Sequence, residues 1–413
     1  MKLLFILLIA CSFFCGIGKF AMATELNEPV VNKSGKNRFQ AKMGKGLSFK
    51  TYDGNYKANL SGLLQADGVY NSDKTLVAGE TDIRRGRVTL GMQFYRHWDL
   101  RATYDFTAKD LNIQGFQDLY LRYTGIRRTD FKMGNLKELI GLEWQGSSRN
   151  TTFMERSLLT SVIPPYHLGL ATSTHGDSWS VAAGVFGDRL IDGIRGDNGW
   201  GTSSRLTFTP ILQKETILHL GLSGVYREPG RQSSNLGADS QSGFNVENAR
   251  FSSISRVTDF NEILAAEIAT VRGPVSLQAE YLRTFLNHNS GSGNLEYDAW
   301  YAYGSWFLTG ESRDYNAKSG VFGHIKPKQK FNLKGGLGAW EIAARYNELN
   351  LLGQHTFVER ENNTTVAVNW HLNDTTKLMA NYVFVQTNLN APNGRNQGQG
   401  DADIFAMRLQ VEF

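Results

Sequence analysis

Five basic residues recur in a row of neighbouring short stretches of the chain. Arg85 and Arg87 lie in one stretch, Arg101 in the next, and Arg122 and Lys132 in the two that follow. Rows of arginine or lysine on a pore wall replace the hydration that a permeating anion loses, and they are typical of anion or phosphate channels. Arginine suits phosphate because its planar guanidinium donates paired hydrogen bonds and stays charged. If the stretches are strands of a hollow barrel, alternation turns all five side chains into the lumen.

A second interpretation of these cations remains open. Asp99, Asp105 and Asp118 alternate in the same stretches, so the basic residues could simply be inward-facing partners of carboxylates. Arg84 points towards lipid by strict alternation. It is nevertheless included among the candidate pore residues, because a β-bulge or the membrane interface near the external end of the strand could accommodate it.

A long connection, from Leu136 to near Pro164, carries three further candidate cations. Lys137, Arg149 and Arg156 are its basic groups. Connections of this length are usually functional. Glu143 and Glu155 are predicted to pair with these arginines and to hold the loop against a wall, Glu155 most directly with its neighbour Arg156.

Other chemistry is weakly represented. The chain contains no H-E-x-x-H, G-x-S-x-G or phosphate-binding loop motif. Its eight histidines are scattered, and both cysteines, Cys11 and Cys15, lie in the first 23 residues. We therefore predict no enzyme, no metal and no cofactor. The net charge of +5 is too small and too dispersed to indicate nucleic-acid binding.

The first residues have the features of a secretory signal. A basic Lys2, an apolar run at 3–14 and an A-x-A site at 21–23 predict a signal peptide over 1–23. Cleavage as a lipoprotein before Cys11 is an alternative, although it would truncate the apolar run. The polar residues 24–45 show no periodicity and are predicted to form a periplasmic leader.

From residue 46 onward, apolar and polar residues alternate almost continuously. Sixteen such segments can be counted between 56 and 413, and the last one ends on Phe413, as the closing strands of outer-membrane barrels commonly do. No apolar run after the signal is long enough for a spanning helix. Strands that cross a membrane must close into a barrel to satisfy their backbone polar groups. The sequence therefore predicts an all-β, antiparallel up-and-down transmembrane barrel of 16 strands over 46–413.

Two observations test that prediction within the sequence. Connections alternate between short and long, as periplasmic turns and external loops do. The connection from Gly310 to Gly336 breaks this order. By its place in the alternation it should be a short periplasmic turn, yet it is long. We expect this segment to pack into the periplasmic mouth, with Glu311 paired to Arg313, unless it hides two further strands. The main competing fold is a soluble β-sandwich or β-helix, whose strands also alternate.

Several stretches, spread over most of the chain, resemble the phosphate-selective porin O and P family. They are IRRGRV at 83–88, GLEWQGSS at 141–148 with FMERS at 153–157, GPVSLQAEY at 273–281 with FLTGESRDY at 307–315, and GAWEIAARY at 338–346 with NWHLN at 369–373 and RLQV at 408–411. The resemblance implies a trimeric, 16-stranded anion channel of the bacterial outer membrane whose third external loop folds inward. It also implies a lysine cluster around the third loop in the phosphate-specific members, whereas this chain has only Lys137 in that region after Lys132.

We therefore expect a porin that contacts outer-membrane lipid, assembles as a homotrimer and passes small anions, with phosphate or polyphosphate as the leading specific solutes. The predicted pore-lining residues are Arg84, Arg85, Arg87, Arg101, Arg122, Lys132, Lys137, Arg149 and Arg156. The rival functions are an outer-membrane barrel enzyme and an adhesin or structural barrel with an occluded lumen. Conductance across a lipid bilayer separates these possibilities.

Overall fold

The computed structural model describes residues 38–42, 46–71, 79–107, 115–190, 199–230, 235–241, 250–257, 259–287, 295–353, 359–388 and 402–413. The helices that lie wholly within these ranges are α1 (Leu142–Gln145) and a 3-10 helix (Leu158–Val162). The strands are β1 (Arg38–Lys42), β2 (Gly46–Lys50), β3 (Lys57–Asn71), β4 (Gly79–Phe94), β5 (Trp98–Asp105), β6 (Gly115–Ile126), β7 (Thr129–Lys137), β8 (Tyr166–His175), β9 (Trp179–Phe186), β10 (Trp200–Leu212), β11 (Thr216–Glu228), β12 (Asn235–Gln241), β13 (Arg250–Val257), β14 (Phe260–Arg272), β15 (Val275–Asn287), β16 (Leu295–Phe307), β17 (Tyr315–Asn316), β18 (Val321–Phe322), β19 (Ala339–Gly353), β20 (Glu359–His371), β21 (Thr376–Asn388) and β22 (Ala402–Glu412).

Sixteen of these strands form a closed antiparallel barrel. Each pairs with its neighbour along the chain through β3–β11, β14–β16 and β19–β22, and β22 then pairs with β3. The closing register sets Phe405 opposite Tyr70 and Arg408 opposite Asp67. At its end, the ring of Phe413 covers Gly62, where an added Cβ would come within 2.0 Å of the ring. The predicted 16-stranded barrel is confirmed.

Alternation sorts the side chains of each strand between lipid and lumen. On β22, Phe405, Met407 and Leu409 are 42%, 51% and 42% exposed on the outer face, whereas the intervening Arg408 is 1% exposed. An outer face this apolar would be unfavourable in water but suits a membrane. Among the described residues there is no helix long and apolar enough to cross a membrane.

The barrel wall is uneven in height. Strands β5 and β9 contain 8 residues each, β7 and β8 contain 9 and 10, and β6 between them contains 12, whereas β10, β11 and β14–β16 contain 13 each. At about 3.3 Å per residue and a tilt of about 40°, 8 residues rise about 20 Å and 13 residues about 33 Å. The apolar band of an outer-membrane barrel is about 25 Å tall. The low wall, defined as β5–β9, therefore contains strands too short to span that band.

The long segment between β16 and β19 turns into the barrel. Its β17–β18 pair forms an inner hairpin, residues 315–322, whose Phe322 is buried against Ile217 and Val271 of the wall. Arg205 of β10 donates to the carbonyl oxygens of Ser319 and Gly320. Residues 310–322 thus pack into the periplasmic mouth, as expected, whereas residues 328–337 lie at its outer edge, and the segment adds no strand to the barrel.

The expected pairing within this segment takes a different form. Glu311 accepts hydrogen bonds from Thr309 and from the backbone N–H of Lys328. Arg313 instead donates to Tyr303 and Gln278 of the wall. Glu311 and Arg313 therefore anchor the segment through separate partners, because the hairpin places Arg313 in the lumen.

The predicted leader ends in ordered structure. Its residues 38–42 form β1, which pairs with β2, and β2 continues the sheet below β22 by pairing with Lys57–Leu60 of β3. The predicted signal peptide and residues 24–37 lie outside the described residues.

Candidate functional site: the cavity beneath the third loop

The third external loop, named L3 here and covering residues 138–165, lies against the inner wall formed by β11–β20. The backbone N–H groups of Leu142 and Glu143 each donate to Glu280 of β15 at 2.7 Å. Further along, the N–H of Leu158 donates to Asn347 of β19 at 2.9 Å. Apolar residues complete the contact, since Phe153, Leu158, Leu159 and Ile163 are buried among wall residues of β11, β14–β16, β19 and β20. Through these contacts L3 lies within the lumen.

Glu155 ties the middle of L3 to the opposite part of the wall. Its carboxylate lies 3.0 Å from Arg84 Nε, 3.2 Å from Arg85 Nη2 and 2.5 Å from Arg408 Nη2. Arg408 also holds Asp67 through two bonds of 2.6 and 2.7 Å. Burial alone would raise the pKa of Glu155, but the charges of Arg84, Arg85 and Arg408 hold that pKa well below its usual range. The carboxylate therefore remains charged in the folded barrel.

This arrangement corrects two predictions from the sequence. Glu155 was expected to pair with its neighbour Arg156, but its partners are wall arginines. Arg84 was assigned to the lipid side by strict alternation. The pairing of β3 with β4 shifts at this point, with Gln65 opposite Arg85 and Ala66 opposite Ile83. Arg84 is thus the extra residue of a β-bulge, and a bulge re-aims side chains that alternation would turn away.

A cavity of about 450 Å³ lies between L3 and the β4–β8 wall. Drug-sized ligands occupy pockets of roughly 300–1,000 Å³, so this space is ample for a small solute. Eight of the nine predicted pore residues line it. The lining cations are Arg84, Arg85, Arg87, Arg101, Lys132, Lys137, Arg149, Arg156 and Arg345, and the lining carboxylates are Asp105, Asp118 and Glu155.

Arg122 is the predicted residue that does not line this cavity. It lies nearer the periplasmic end, where its guanidinium is 2.5 Å from Asp99 and 3.6 Å from Asp130. Sequence alternation correctly predicted that the Arg122 side chain faces the lumen, since Asp99 and Asp130 also belong to the inner wall. Alternation carries no information, however, about the height of a residue along the pore.

Several cations in the cavity are paired, as the second interpretation of the sequence expected. Arg87 Nε lies 2.6 Å from Asp105, and its Nη1 donates to Ser148 of L3 at 2.9 Å. Arg101 lies 3.2 Å from Asp118 in a half-exposed pair. Asp105 and Asp118 take part in these pairs, and Asp99 pairs with Arg122 outside the cavity. They orient the arginines without cancelling the overall excess of positive charge.

Three cations have no carboxylate within ion-pair distance among the described residues. Lys132 lies over the ring of Tyr120, 5.5 Å from its centroid. Lys137 donates to the carbonyl oxygen of Trp144 at 2.8 Å, and Arg156 donates to that of Gly146 at 2.8 Å. Carbonyl groups and aromatic faces orient a cation without neutralising it. These three residues therefore supply the least compensated positive charge in the cavity.

Sequence reasoning missed the contribution of the distant strands. Arg345 of β19 lines the cavity, lies 3.5 Å from Glu143, and donates to the backbone oxygen of Glu155 at 3.0 Å. Arg408 of β22 completes the Glu155 anchor. Both occupied inward positions in the alternating pattern, which was the available signal, but their distance in sequence from L3 concealed the contact. In the ranges described above, no three His, Cys, Asp or Glu residues are grouped so that they could hold a metal ion.

Comparison with known proteins adds an independent finding. The family model described as "phosphate-selective porin O and P" matches residues 57–413. Porin O of Pseudomonas aeruginosa is 28% identical over 408 aligned residues, covering 89% of this chain and 91% of that protein.

Among solved structures, the anion-selective porin of Comamonas acidovorans superposes with a TM-score of 0.57 at 9% identity, covering 87% of this chain and 100% of that one. OmpT of Vibrio cholerae also gives 0.57 at 11% identity, covering 87% and 98%. At these identities the structural likeness concerns the fold.

Proposed function

The chain belongs to the phosphate-selective porin O and P family, and we propose that it is a porin of the bacterial outer membrane that admits small solutes passively with a preference for anions. Family membership indicates a channel rather than an enzyme. The observation that carries the anion preference is the cavity beneath L3, where nine lysine or arginine residues face three carboxylates. An excess of six positive charges therefore borders the space between L3 and the wall.

The physical basis of the preference is local. Fixed charges act over about one Debye length, roughly 8 Å at physiological salt. Lys132, Lys137 and Arg156 border a single cavity, so their fields add there. An anion entering this space exchanges part of its hydration for guanidinium and ammonium groups, whereas a cation meets the same groups as a barrier.

Phosphate is proposed as a permeating solute with weak binding. Guanidinium forks favour phosphate, but Arg84 and Arg85 already bind Glu155, and Arg87 binds Asp105. The lysine cluster of the phosphate-specific members is also absent. Partial, low-affinity block of chloride current by added phosphate is therefore the expected behaviour.

Planar-bilayer recording of the purified full-length mature protein tests the proposal. In a potassium chloride gradient, we expect discrete channel openings whose reversal potential has the sign of a pore that passes chloride more readily than potassium. A reversal potential on the cation side would contradict the proposal. A lack of any conductance from correctly folded protein would instead support the occluded structural barrel.

Replacing Arg85 and Arg87 by glutamine should reduce the anion preference. The double variant removes two positive charges from the cavity, while Glu155 keeps Arg84 and Arg408 as partners. The measurement is the reversal potential in the same salt gradient.

A charge-balanced variant provides the control for that prediction. Changing Arg87→Gln together with Asp105→Asn removes the same ion pair without altering the net charge, so its reversal potential should stay near that of the wild type. An equal shift in both variants would show that pore shape, and not charge, governs selectivity.

We propose in addition that the low wall, β5–β9, forms the subunit interface of a trimer. Strands that rise about 20 Å cannot cover a lipid band of about 25 Å, so protein contact there avoids exposing loops to the membrane.

Native mass measurement in mild detergent should give three copies. With a photoreactive crosslinker attached, a cysteine replacing the outward-facing Leu170 of β8 should crosslink between subunits, whereas one replacing Ile342 of β19, across the barrel from the low wall, should not. Monomers, or crosslinking through Ile342 alone, would overturn this assignment.

A further inference from the structure

The segment after the inner hairpin carries an unusual run of charge. Between Tyr315 and Trp340 the sequence contains five lysines and no aspartate or glutamate. Four of the lysines fall within residues 326–334. Residues 326–337, named the basic turn here, expose all four of these lysines, and the backbone of Asn332 bridges to Gly336 within the turn.

The basic turn is attached to the outside of the barrel. The ring of Phe331 lies 5.0 Å from that of Trp370, which stacks on Trp340 at 5.1 Å. Both indole N–H groups donate to the carbonyl oxygen of Leu337, at 2.8 and 3.2 Å. Trp340 and Trp370 face outward, since Glu341 beside Trp340 is buried in the lumen. The turn is therefore fixed at the periplasmic edge of the lipid-facing surface.

Among the described residues, none covers the side chains at the tip of the basic turn. Leu333 is 97% exposed and Leu337 is 63% exposed, and the adjacent outer-face residue Leu308 is 51% exposed. Of the lysines, Lys330 pairs with Asp374 at 2.7 Å, whereas Lys326 and Lys334 have no carboxylate partner in the described part of the chain. Exposed leucines beside unpaired lysines, at an aromatic belt, are the combination by which interfacial segments bind anionic membranes.

The position of the turn around the barrel indicates which surface covers it. Strand β19 lies eight strands from β7, the centre of the low wall, and so half-way round the ring of sixteen. If the low wall faces other subunits, the basic turn faces lipid. Its height, at the ends of β19 and β20 where the short turns lie, corresponds to the head groups of the inner leaflet.

We infer that the basic turn is a binding site for anionic phospholipid in the inner leaflet of the outer membrane. Leu333 and Leu337 insert beside the acyl chains, Trp340 and Trp370 lie at the head-group level, and Lys326 and Lys334 contact the lipid phosphates. The site fixes the depth of the barrel in the membrane on the side away from the proposed subunit interface. It does not depend on the solute that the pore admits.

A labelling experiment tests the insertion of the turn. Because both cysteines lie in the predicted signal peptide, Leu333→Cys introduces a single thiol into the mature chain for a fluorescent label. In phosphatidylcholine bilayers, quenching by lipid-borne nitroxide should exceed quenching by a water-soluble nitroxide, and adding phosphatidylglycerol should increase that difference. A label that is quenched only from water would overturn the inference, as would protection of residue 333 that persists in lipid-free trimers.

The charge requirement is tested separately by native mass spectrometry of protein extracted with phosphatidylglycerol. Lys326→Gln with Lys334→Gln should lose phosphatidylglycerol adducts while keeping the heat-modifiable mobility of a folded barrel. The matched control, Lys214→Gln with Lys318→Gln, removes two exposed lysines from the same end of the barrel and should retain the adducts. Equal retention by the two variants would contradict the assignment.

Discussion

Glu155→Gln is expected to destabilise the folded barrel and, at the same time, to strengthen its preference for anions. The substitution leaves Arg84 and Arg85 without a carboxylate partner, and Arg408 with Asp67 alone. Removing one partner from a buried ion pair typically costs about 3–5 kcal/mol. The cavity also gains one net positive charge, so any L3 that remains docked should repel cations more strongly.

Two measurements separate these effects. The temperature at which the protein loses its folded mobility in detergent electrophoresis should fall, and the reversal potential should move further to the anion side. Glu296→Gln is the control, because Glu296 pairs with Arg283 in an exposed position, where ion pairs contribute little. A Glu155→Gln protein as stable as the control would show that L3 is held by its apolar contacts alone.

Deleting the inner hairpin should raise the single-channel conductance and leave the sign of selectivity unchanged. Residues 314–318 border the periplasmic mouth, a space of about 1010 Å³, and the hairpin fills the adjacent lumen. The N–H of Gly323 donates to the carbonyl oxygen of Asp314 at 2.8 Å, so two glycines can replace residues 315–322 as a tight turn. None of the nine cavity cations lies in the deleted segment.

The deletion should also loosen L3. Phe322 of the hairpin and Leu142 of L3 belong to one buried cluster with Ile217 of the wall. Losing Phe322 leaves a cavity under Leu142, and we expect noisier openings as well as larger ones. Lys318→Gln, which keeps the hairpin and changes one exposed charge, is the control and should conduct like the wild type. Unchanged conductance in the deletion variant would place the flow-limiting constriction entirely at L3.

The barrel itself could be predicted from local pattern, because lipid and lumen impose a period of two on every strand. The parity of long and short connections even predicted an insertion into the mouth from within residues 310–336, and residues 310–322 form it. The ion pairs between residues that are far apart in the sequence could not be predicted. Glu155 meets Arg84 and Arg408, which lie 71 and 253 residues away, and nothing in the local sequence marks those partners.

The position of Arg84 shows a second limit. Strict alternation holds only while the register is regular, and a bulge is set by how two strands pair. The shift between Gln65 and Ala66 of β3 is what turns Arg84 inward. A single sequence records the residues of both strands but not their mutual offset. Alternation could therefore identify Asp99, Asp105 and Asp118 as inward-facing partners of the strand cations, whereas it could not give the heights of the cations along the pore.

The contact between Leu142 and Phe322 has a consequence for how the family can diversify. L3 descends and the inner hairpin rises along the same part of the wall, so together they form a partition that reserves one half of the barrel for support. The proposed solute path is the other half, along β4–β8. Substitutions at Arg101 and Asp118, which pair with each other and not with L3, can therefore retune permeability without disturbing the support. Those facing the partition, such as at Glu280 or Arg205, affect assembly first, so the two properties can evolve largely independently.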